Sequence, residues 1–326
     1  MGTKEKLLFL FESQKGAFFS GEEIAEKLSV SRTAVWKAVN SLRKEGYDIE
    51  AVPNKGYSLS VTTDILSVQG IRKYLSPVCS EVELNVLPEV ETTNALLREK
   101  ANAGATEGYT VIAGAQTKGR GRLGRSFFSP EDTGIYMSLL LRPVGMTPSQ
   151  AIRLTTMAAV AACEAIEEAS GKQAWIKWVN DIYMDGRKVS GILTEASFNM
   201  ETGSLDYVVL GIGINVYPPK GGFPKEIGQI AGTIFHERRN DGKNILAAGF
   251  LNCFMNYYVS WEKVDYVEKY RTRCLVTGKE ITVVSAGGGK RAVALDVDEE
   301  CRLVVRYTDG QTEHLSSGEI SISLNK

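Results

Sequence analysis

The tetrad Ser20-Gly21-Glu22-Glu23 constrains the front of this chain more than any other feature. In the form S-x-x-E the serine hydroxyl accepts from the third helical N–H, and the glutamate reaches back to the serine amide, so a helix must start there. Ahead of it, Leu7, Leu8, Leu10 and Phe11 stand among charges and stop at Gly16, which reads as an amphipathic helix over 4–16. Behind it, Ile24, Ala25 and Leu28 keep helical spacing. Ser29-Val30-Ser31 breaks the pattern, and Ser31 can cap a further helix from Arg32 to Lys44 with Val35, Val39 and Leu42 on its buried stripe. Two short helices joined by a short turn make a helix-turn-helix. Tyr47 to Ala51, the turn Pro53-Asn54-Lys55-Gly56, and Tyr57-Ser58-Leu59 then read as a β-hairpin, which makes the unit winged.

The helix over 32–44 has the charge a DNA groove asks for. It carries Arg32, Lys37, Arg43 and Lys44 and no acid. Ser31, Arg32, Thr33 and Lys37 lie near its N-terminal end, where recognition helices meet base edges, and Lys55 at the wing tip can meet a phosphate. A solvated basic face on a small helical domain is the plainer alternative; the order of capping box, turn, acid-free helix and hairpin favours DNA. Nine basic against eight acidic residues over 1–60 predict modest affinity per subunit, which a dimer on two half-sites would raise.

The whole chain of 326 residues has 38 basic and 39 acidic residues, so any anion binding must come from local clusters. Its length suits two or three domains. Only His236 and His314 are present, which excludes a multi-histidine metal site and disfavours a Ser-His-Asp triad. Five scattered cysteines (79, 163, 253, 274 and 301) without a C-x-x-C pair fit a reducing cytoplasm. Neither a membrane span nor a signal peptide is expected.

The polar stretch Thr62–Ser67 reads as a linker. Beyond it, an apolar strand over 109–115 runs into Gln116-Thr117-Lys118-Gly119-Arg120-Gly121-Arg122-Leu123-Gly124-Arg125. Glycines let backbone amides approach an anion, and arginines supply fixed charge, so this loop suits carboxylate and phosphate. Its G-x-G-x-x-G is not read as a dinucleotide fingerprint, because 126–134 does not look helical. Ala174 to Tyr183 reads as a half-buried strand offering Lys177, Asn180 and Asp181 to phosphate, nucleotide or metal. Gly186-Arg187-Lys188 turns into a strand over 189–195, and another apolar strand runs from Val208 to Asn215. Gly191, Gly211 and Gly213 inside these strands suggest close approach of a ligand, with a bulge as the alternative for each. From Cys274 the pattern changes to short strands at 280–284, 291–295, 303–307 and 319–322, with turns at 287–289 and 309–310.

Thr92-Thr93-Asn94, the loop from Gln116 to Arg125, Lys177-Trp178-Val179-Asn180-Asp181, Lys188 to Glu195 and Gly211 to Asn215 together resemble the biotin protein ligases of the bifunctional bacterial type that also repress transcription. The resemblance covers essentially the whole chain. Val179 stands where that family commonly has proline, a change expected to alter local backbone stiffness only.

The resemblance implies an α+β architecture: a winged helix-turn-helix over 1–62, a mixed α/β ligase domain of class II synthetase-like type over 66–273, and an SH3-like β-barrel over 274–326. It implies that biotin and ATP with Mg²⁺ give biotinyl-5′-AMP, whose biotinyl group passes to a lysine of a biotin carboxyl carrier protein, as in acetyl-CoA carboxylase. By that resemblance Thr92, Thr93, Asn94 and Gln116 line the biotin site with Gly191, Gly211 and Gly213. Arg120, Gly121 and Arg122 close over biotin and adenylate, and Lys188 sits by the carboxylate and α-phosphate. Lys177, Asn180 and Asp181 handle phosphates, with Asp181 a candidate for magnesium, and Asn215 meets adenine. Lys188, Arg120, Asp181 and Lys177 are the catalytic candidates. Operator DNA, a homodimer on it, and the adenylate as corepressor complete the expectation. The rivals are a ligase whose N-terminal domain is not regulatory, a ligand-sensing repressor without ligase activity, and a lipoate ligase. The C-terminal piece either assists catalysis and carrier docking or caps the fold.

Overall fold

The computed structural model describes residues 2–147, 150–198, 201, 204–261, 265–285, 288–316 and 318–322. By compactness it divides into one unit of residues 1–76 with 237–249 and another of 77–236 with 250–326.

The first unit holds α1 (Thr3–Ser13), α2 (Gly21–Leu28), α3 (Arg32–Lys44), β1 (Ile49–Val52), β2 (Gly56–Leu59) and α4 (Val68–Arg72). Both serine caps form as the sequence requires. Ser20 Oγ accepts from the Glu23 amide at 3.1 Å while Glu23 accepts from the Ser20 amide at 2.7 Å, and Ser31 Oγ accepts from the Ala34 amide at 3.2 Å. Gly16 takes the left-handed φ of +82° that ends the first helical segment. Leu7, Phe11, Ile24, Val35, Val39, Leu42 and Leu59 form one buried core under the antiparallel wing.

The stretch read as a linker is part of this unit. Thr63, Asp64 and Ser67 are buried, and Asp64 accepts from the Lys243 amide at 2.9 Å. Short polar side chains look alike whether they face water or satisfy buried amides. Nearby, Glu12, Lys15, Lys73 and Asp241 form a charge-balanced quartet. Lys73 reaches Glu12 at 2.7 Å and Asp241 at 2.5 Å, Lys15 pairs with the same two carboxylates, and the Tyr74 hydroxyl donates to Asp241 at 2.8 Å.

The second unit is built on β3 (Glu83–Val90), α5 (Thr93–Asn102), β4 (Tyr109–Gln116), β5 (Gly134–Leu141), α6 (Ala151–Ser170), β6 (Trp175–Lys177), β7 (Asp181–Met184), β8 (Arg187–Phe198) and β9 (Leu205–Asn215). They make a seven-stranded sheet in the order β3-β4-β5-β9-β8-β7-β6, parallel only between β3 and β4 and antiparallel elsewhere. The parallel pair needs a crossover, which α5 supplies. Leu97 and Ala101 of α5 pack on Val111, Leu140 and Val209, on the sheet face that carries Gly211 and Gly213. On the opposite face the Thr155 hydroxyl of α6 lies 2.7 Å from that of Thr194.

Two strands fill what reads as one over 174–183: β6 and β7 form a tight hairpin, and the Trp178–Val179 peptide between them is cis. After α7 (Gly242–Tyr258) and α8 (Val267–Arg273) come β10 (Glu280–Ser285), β11 (Gly288–Val297), β12 (Leu303–Tyr307), β13 (Thr312–Leu315) and β14 (Glu319–Ile322), an antiparallel sheet in the order β13-β12-β11-β10-β14. Strand β13 escapes sequence reading because three of its four residues face water. Of the turn at 287–289, Gly287 lies outside the described residues. Among the described residues no helix is long and apolar enough to cross a membrane. All five cysteines are free thiols, and burial pushes Cys79 and Cys253 up to about 11, which leaves them unreactive.

Candidate functional site

One cleft in the second unit gathers nearly every residue singled out above for ligand chemistry: Thr92, Thr93, Asn94, Gln116, Arg120, Gly121, Arg122, Lys177, Asn180, Asp181, Lys188, Gly191, Gly211 and Gly213 all line it. Its floor is the glycine face of the sheet, where Gly191 pairs with Gly213, and Gly211 with Leu193 and Ser138.

These glycines make room first for protein rather than ligand. A Cβ on Gly211 would collide with the Asn94 carboxamide oxygen, and one on Gly213 with the Phe127 ring. A Cβ on Gly191 would stand 3.2 Å from the Lys188 side chain. None of the three marks a bulge. The bulge lies beside them: the β7–β8 register slips between Ile182 and Tyr183, so Val189 is the extra residue of β8. That slip turns Lys188 onto the face of Gly191, where its ammonium meets Asp181 Oδ1 at 2.6 Å with both side chains partly exposed.

One end of the cleft is a hydrogen-bonded floor built at the start of α5. Thr92 caps that helix, its hydroxyl accepting from the Ala95 amide at 2.9 Å. Asn94 spends both amide hydrogens, on Leu193 O at 3.2 Å and Glu195 at 2.8 Å, and accepts from the Ser138 hydroxyl at 2.6 Å. Gln116 Oε1 accepts from the Thr93 amide at 2.9 Å, and its Nε2 donates to the Ser129 hydroxyl at 3.0 Å. Such a floor presents fixed polar groups to a compact, hydrogen-bonding head group.

The glycine-arginine segment opens on a bridge between Arg120 and Ser126 and contains a 3-10 turn at Arg122–Gly124. No α-helix follows it, as the rejected dinucleotide reading required. Arg122 donates to Asn180 Oδ1 and to the Gly318 carbonyl, both at 3.0 Å. Asn180 also donates to Asp181 Oδ1 at 3.1 Å and to Ile192 O at 2.9 Å. Leu123 stands at the loop's tip, largely exposed. With Gly318 and Ile320 on its wall, the cleft takes part of its lining from the C-terminal sheet.

Asn215 is the exception among the predicted residues. It lies on the same sheet face, two residues past Gly213, but its carboxamide donates to Gly232 O at 3.1 Å and it does not line the cleft. Sequence reading did not single out Glu195, Arg98, Phe127, Ser138 and Gly318. Glu195 and Phe127 had a signal, since one ends a singled-out run and the other lies two residues past one; Ser138 sits in an otherwise apolar strand and had none.

In the first unit Ser31, Arg32, Thr33, Lys37 and Lys55 are all exposed. Lys55 Nζ stands 5.8 Å from the Phe18 ring centre. Arg43 is spent within the fold: its Nε and Nη2 both donate to Ile49 O, at 3.0 and 2.6 Å. Trp36, unremarked in the sequence, is exposed on α3.

Comparison with known proteins agrees with this division of labour. The pattern of the biotin/lipoate A/B protein ligase family matches residues 86–215, an HTH domain matches 3–58, and the biotin protein ligase C terminal domain matches 276–323. The chain is 36% identical over 317 residues to the bifunctional ligase/repressor BirA of Bacillus subtilis, covering 94% of this chain and 95% of that relative. With the bifunctional ligase/repressor BirA of Escherichia coli it shares 30% identity over 319 residues, 94% of each. A biotin protein ligase from Aquifex aeolicus, solved in complex with biotin and ATP, matches with a TM-score of 0.59 at 29% identity, over 73% of this chain and 97% of that one. A likeness this close, end to end, places the chain in the family of bifunctional biotin protein ligases and repressors.

Proposed function

We propose that this protein condenses biotin with ATP to biotinyl-5′-AMP and pyrophosphate, transfers the biotinyl group to a lysine of a biotin carboxyl carrier protein, and represses transcription as an operator-bound homodimer when the adenylate occupies its cleft. The observation that carries the adenylating reading is the charge of that cleft: among the described residues that line it, six cations, Arg98, Arg120, Arg122, Arg125, Lys177 and Lys188, stand against two acids, Asp181 and Glu195.

Attack of a carboxylate on an α-phosphate brings two anions together and leaves charge on pyrophosphate. Positioned cations offset both without a covalent enzyme intermediate. Lys188, lifted onto the glycine face, is set to stand between carboxylate and α-phosphate. Arg120 and Arg122 cover them, and Lys177 meets the outer phosphates. Biotin's cyclic urea suits the polar floor of Thr93, Asn94 and Gln116, and its carboxylate points toward Lys188. Adenine is assigned to Asn215, two residues past Gly213 on the same sheet face, once its carboxamide leaves the Gly232 carbonyl.

Among the described residues no group of three metal-ligating side chains exists. That fits magnesium, which takes one or two carboxylates and otherwise water and substrate phosphates. Asp181, with Asn180 beside it, would hold the ion, which would neutralise phosphate charge. Free buried thiols suit a reducing cytoplasm.

Purified protein is given MgATP with biotin, with lipoate or with neither, and pyrophosphate is measured. Release with biotin alone is expected. Release with lipoate instead moves the substrate, and no release with either makes the protein a ligand sensor. A gel shift on the promoter of a biotin-synthesis gene, with and without the trapped adenylate, tests repression.

A further inference from the structure

Trp36 exposes 57% of its surface on a helix that otherwise presents polar groups to water. The buried stripe of α3 is Val35, Ala38, Val39 and Leu42, so the core makes no demand at position 36. Water-facing helix positions are normally filled by small or charged helix formers, and an indole offers a large apolar surface that gains only when something covers it.

Its surroundings say what covers it. Arg32 and Thr33, four and three residues back and so its neighbours on the helix surface, are exposed, and so is Lys37, next to it in sequence. Among the described residues neither Arg32 nor Lys37 makes an ion pair. From Arg32 to Lys44 the helix has no acid. An apolar ring framed by uncommitted cations complements a polyanion that also carries apolar groups. Duplex DNA is one, and the apolar group on its major-groove base edges is the thymine C5-methyl.

We infer that Trp36 reads sequence by seating its indole against a thymine methyl in each half-site. This rests on the DNA-binding reading above. Arg32 and Lys37 then hold the backbone, which positions without specifying, while Trp36 specifies. A phosphate-binding role for Trp36 is a different claim, because it would weaken all sequences alike.

Full-length protein, with biotin and MgATP, is used to enrich binding sites from a pool of randomised duplexes. The Trp36→Ala and Trp36→Phe variants are carried alongside, with circular dichroism to confirm folding. Wild type should enrich a motif with thymine at one fixed place per half-site. Trp36→Ala should lose preference at that place alone, with the salt dependence of binding unchanged, since that slope counts phosphates. Trp36→Phe should keep part of it. Replacing that thymine by uracil, which lacks the methyl, should weaken wild type about fourfold, the worth of one buried methyl group, and leave Trp36→Ala unaffected.

An equal uracil effect in both proteins overturns the inference and spares the DNA-binding reading. So does a uniform loss across sequences with a shallower salt slope, or unchanged DNA binding with a changed solution mass, which would make Trp36 a protein contact. No enriched motif in wild type overturns both.

Discussion

Arg122 donates to the main-chain carbonyl of Gly318 at 3.0 Å, tying the glycine-arginine loop to the C-terminal sheet, while its other terminal nitrogen holds Asn180 at the same distance. The guanidinium fork reaches the two acceptors from two separate nitrogens, which the single nitrogen of a lysine at the end of its stem cannot reproduce. Arg122→Lys should therefore leave pyrophosphate release largely intact but loosen the cover, raising the fraction of adenylate that escapes about tenfold. Rapid filtration of labelled adenylate measures this. Equal retention by the variant would assign loop closure to other residues.

Gly211→Ala and Gly213→Ala should each damage the floor without touching a phosphate group. The added methyl strikes the Asn94 carboxamide in one case and the Phe127 ring in the other. Overpacking of this kind costs about 1–3 kcal/mol. Biotin affinity should fall at least tenfold while the KM for ATP moves little; calorimetry and steady-state kinetics separate the two. A matching rise in ATP KM would mean the floor is shared by both ligands.

The Lys188–Asp181 pair at 2.6 Å predicts opposed kinetic signatures. Lys188→Met removes the cation nearest the reacting atoms and should lower kcat for pyrophosphate release about 10²–10³-fold, the range seen when one preorganised electrostatic donor is lost. Asp181→Asn frees the lysine but removes the carboxylate, so the magnesium concentration for half-maximal rate should rise. A wild-type magnesium dependence in that variant would exclude Asp181 as a ligand.

Asp241 is held below the usual carboxylate value: burial pushes it up, but hydrogen bonds from Lys15 and Lys73 outweigh that. Its folded value lies below its unfolded one, so its stabilisation is complete above about pH 4 and is lost as the pH falls through the folded value. Asp241→Asn should cost the first unit about 2 kcal/mol, because Lys15 and the partly exposed Lys73 are then left with Glu12 alone as a carboxylate partner. That is a fall in melting temperature of roughly 10 °C or more for a unit this size. The variant should also lose the acid-side decline, which melts from pH 3 to 7 can follow.

Local chemistry was the readable part of this chain. The serine caps, the glycine stop and the buried stripe of α3 depend on neighbours within four residues, and each forms where its residues stand. The cleft was readable as a set of types, because five of its cations, in a glycine-rich loop and beside glycines in strands, have few structural uses. Its wiring was not. Ser138 of β5 meets Asn94 at the start of α5 across 44 residues of chain, and no periodicity announces that. The burial of Thr63, Asp64 and Ser67 was hidden for the same reason, since their partners lie far along the chain.

The winged unit is stitched from two stretches of chain, 1–76 and 237–249, with Asp241 and Asn244 supplied by the second. Genetic surgery that respects only the front boundary would therefore misfire. A chimaera grafting residues 1–76 onto another ligase would arrive with Lys15 and Lys73 sharing Glu12 alone, and a ligase trimmed of them would keep Asp241 without the cations it pairs with. Exchanging operators between such proteins calls for transplanting a discontinuous gene segment, and a chain that gave up its DNA-binding end would leave unmatched residues more than 160 positions downstream.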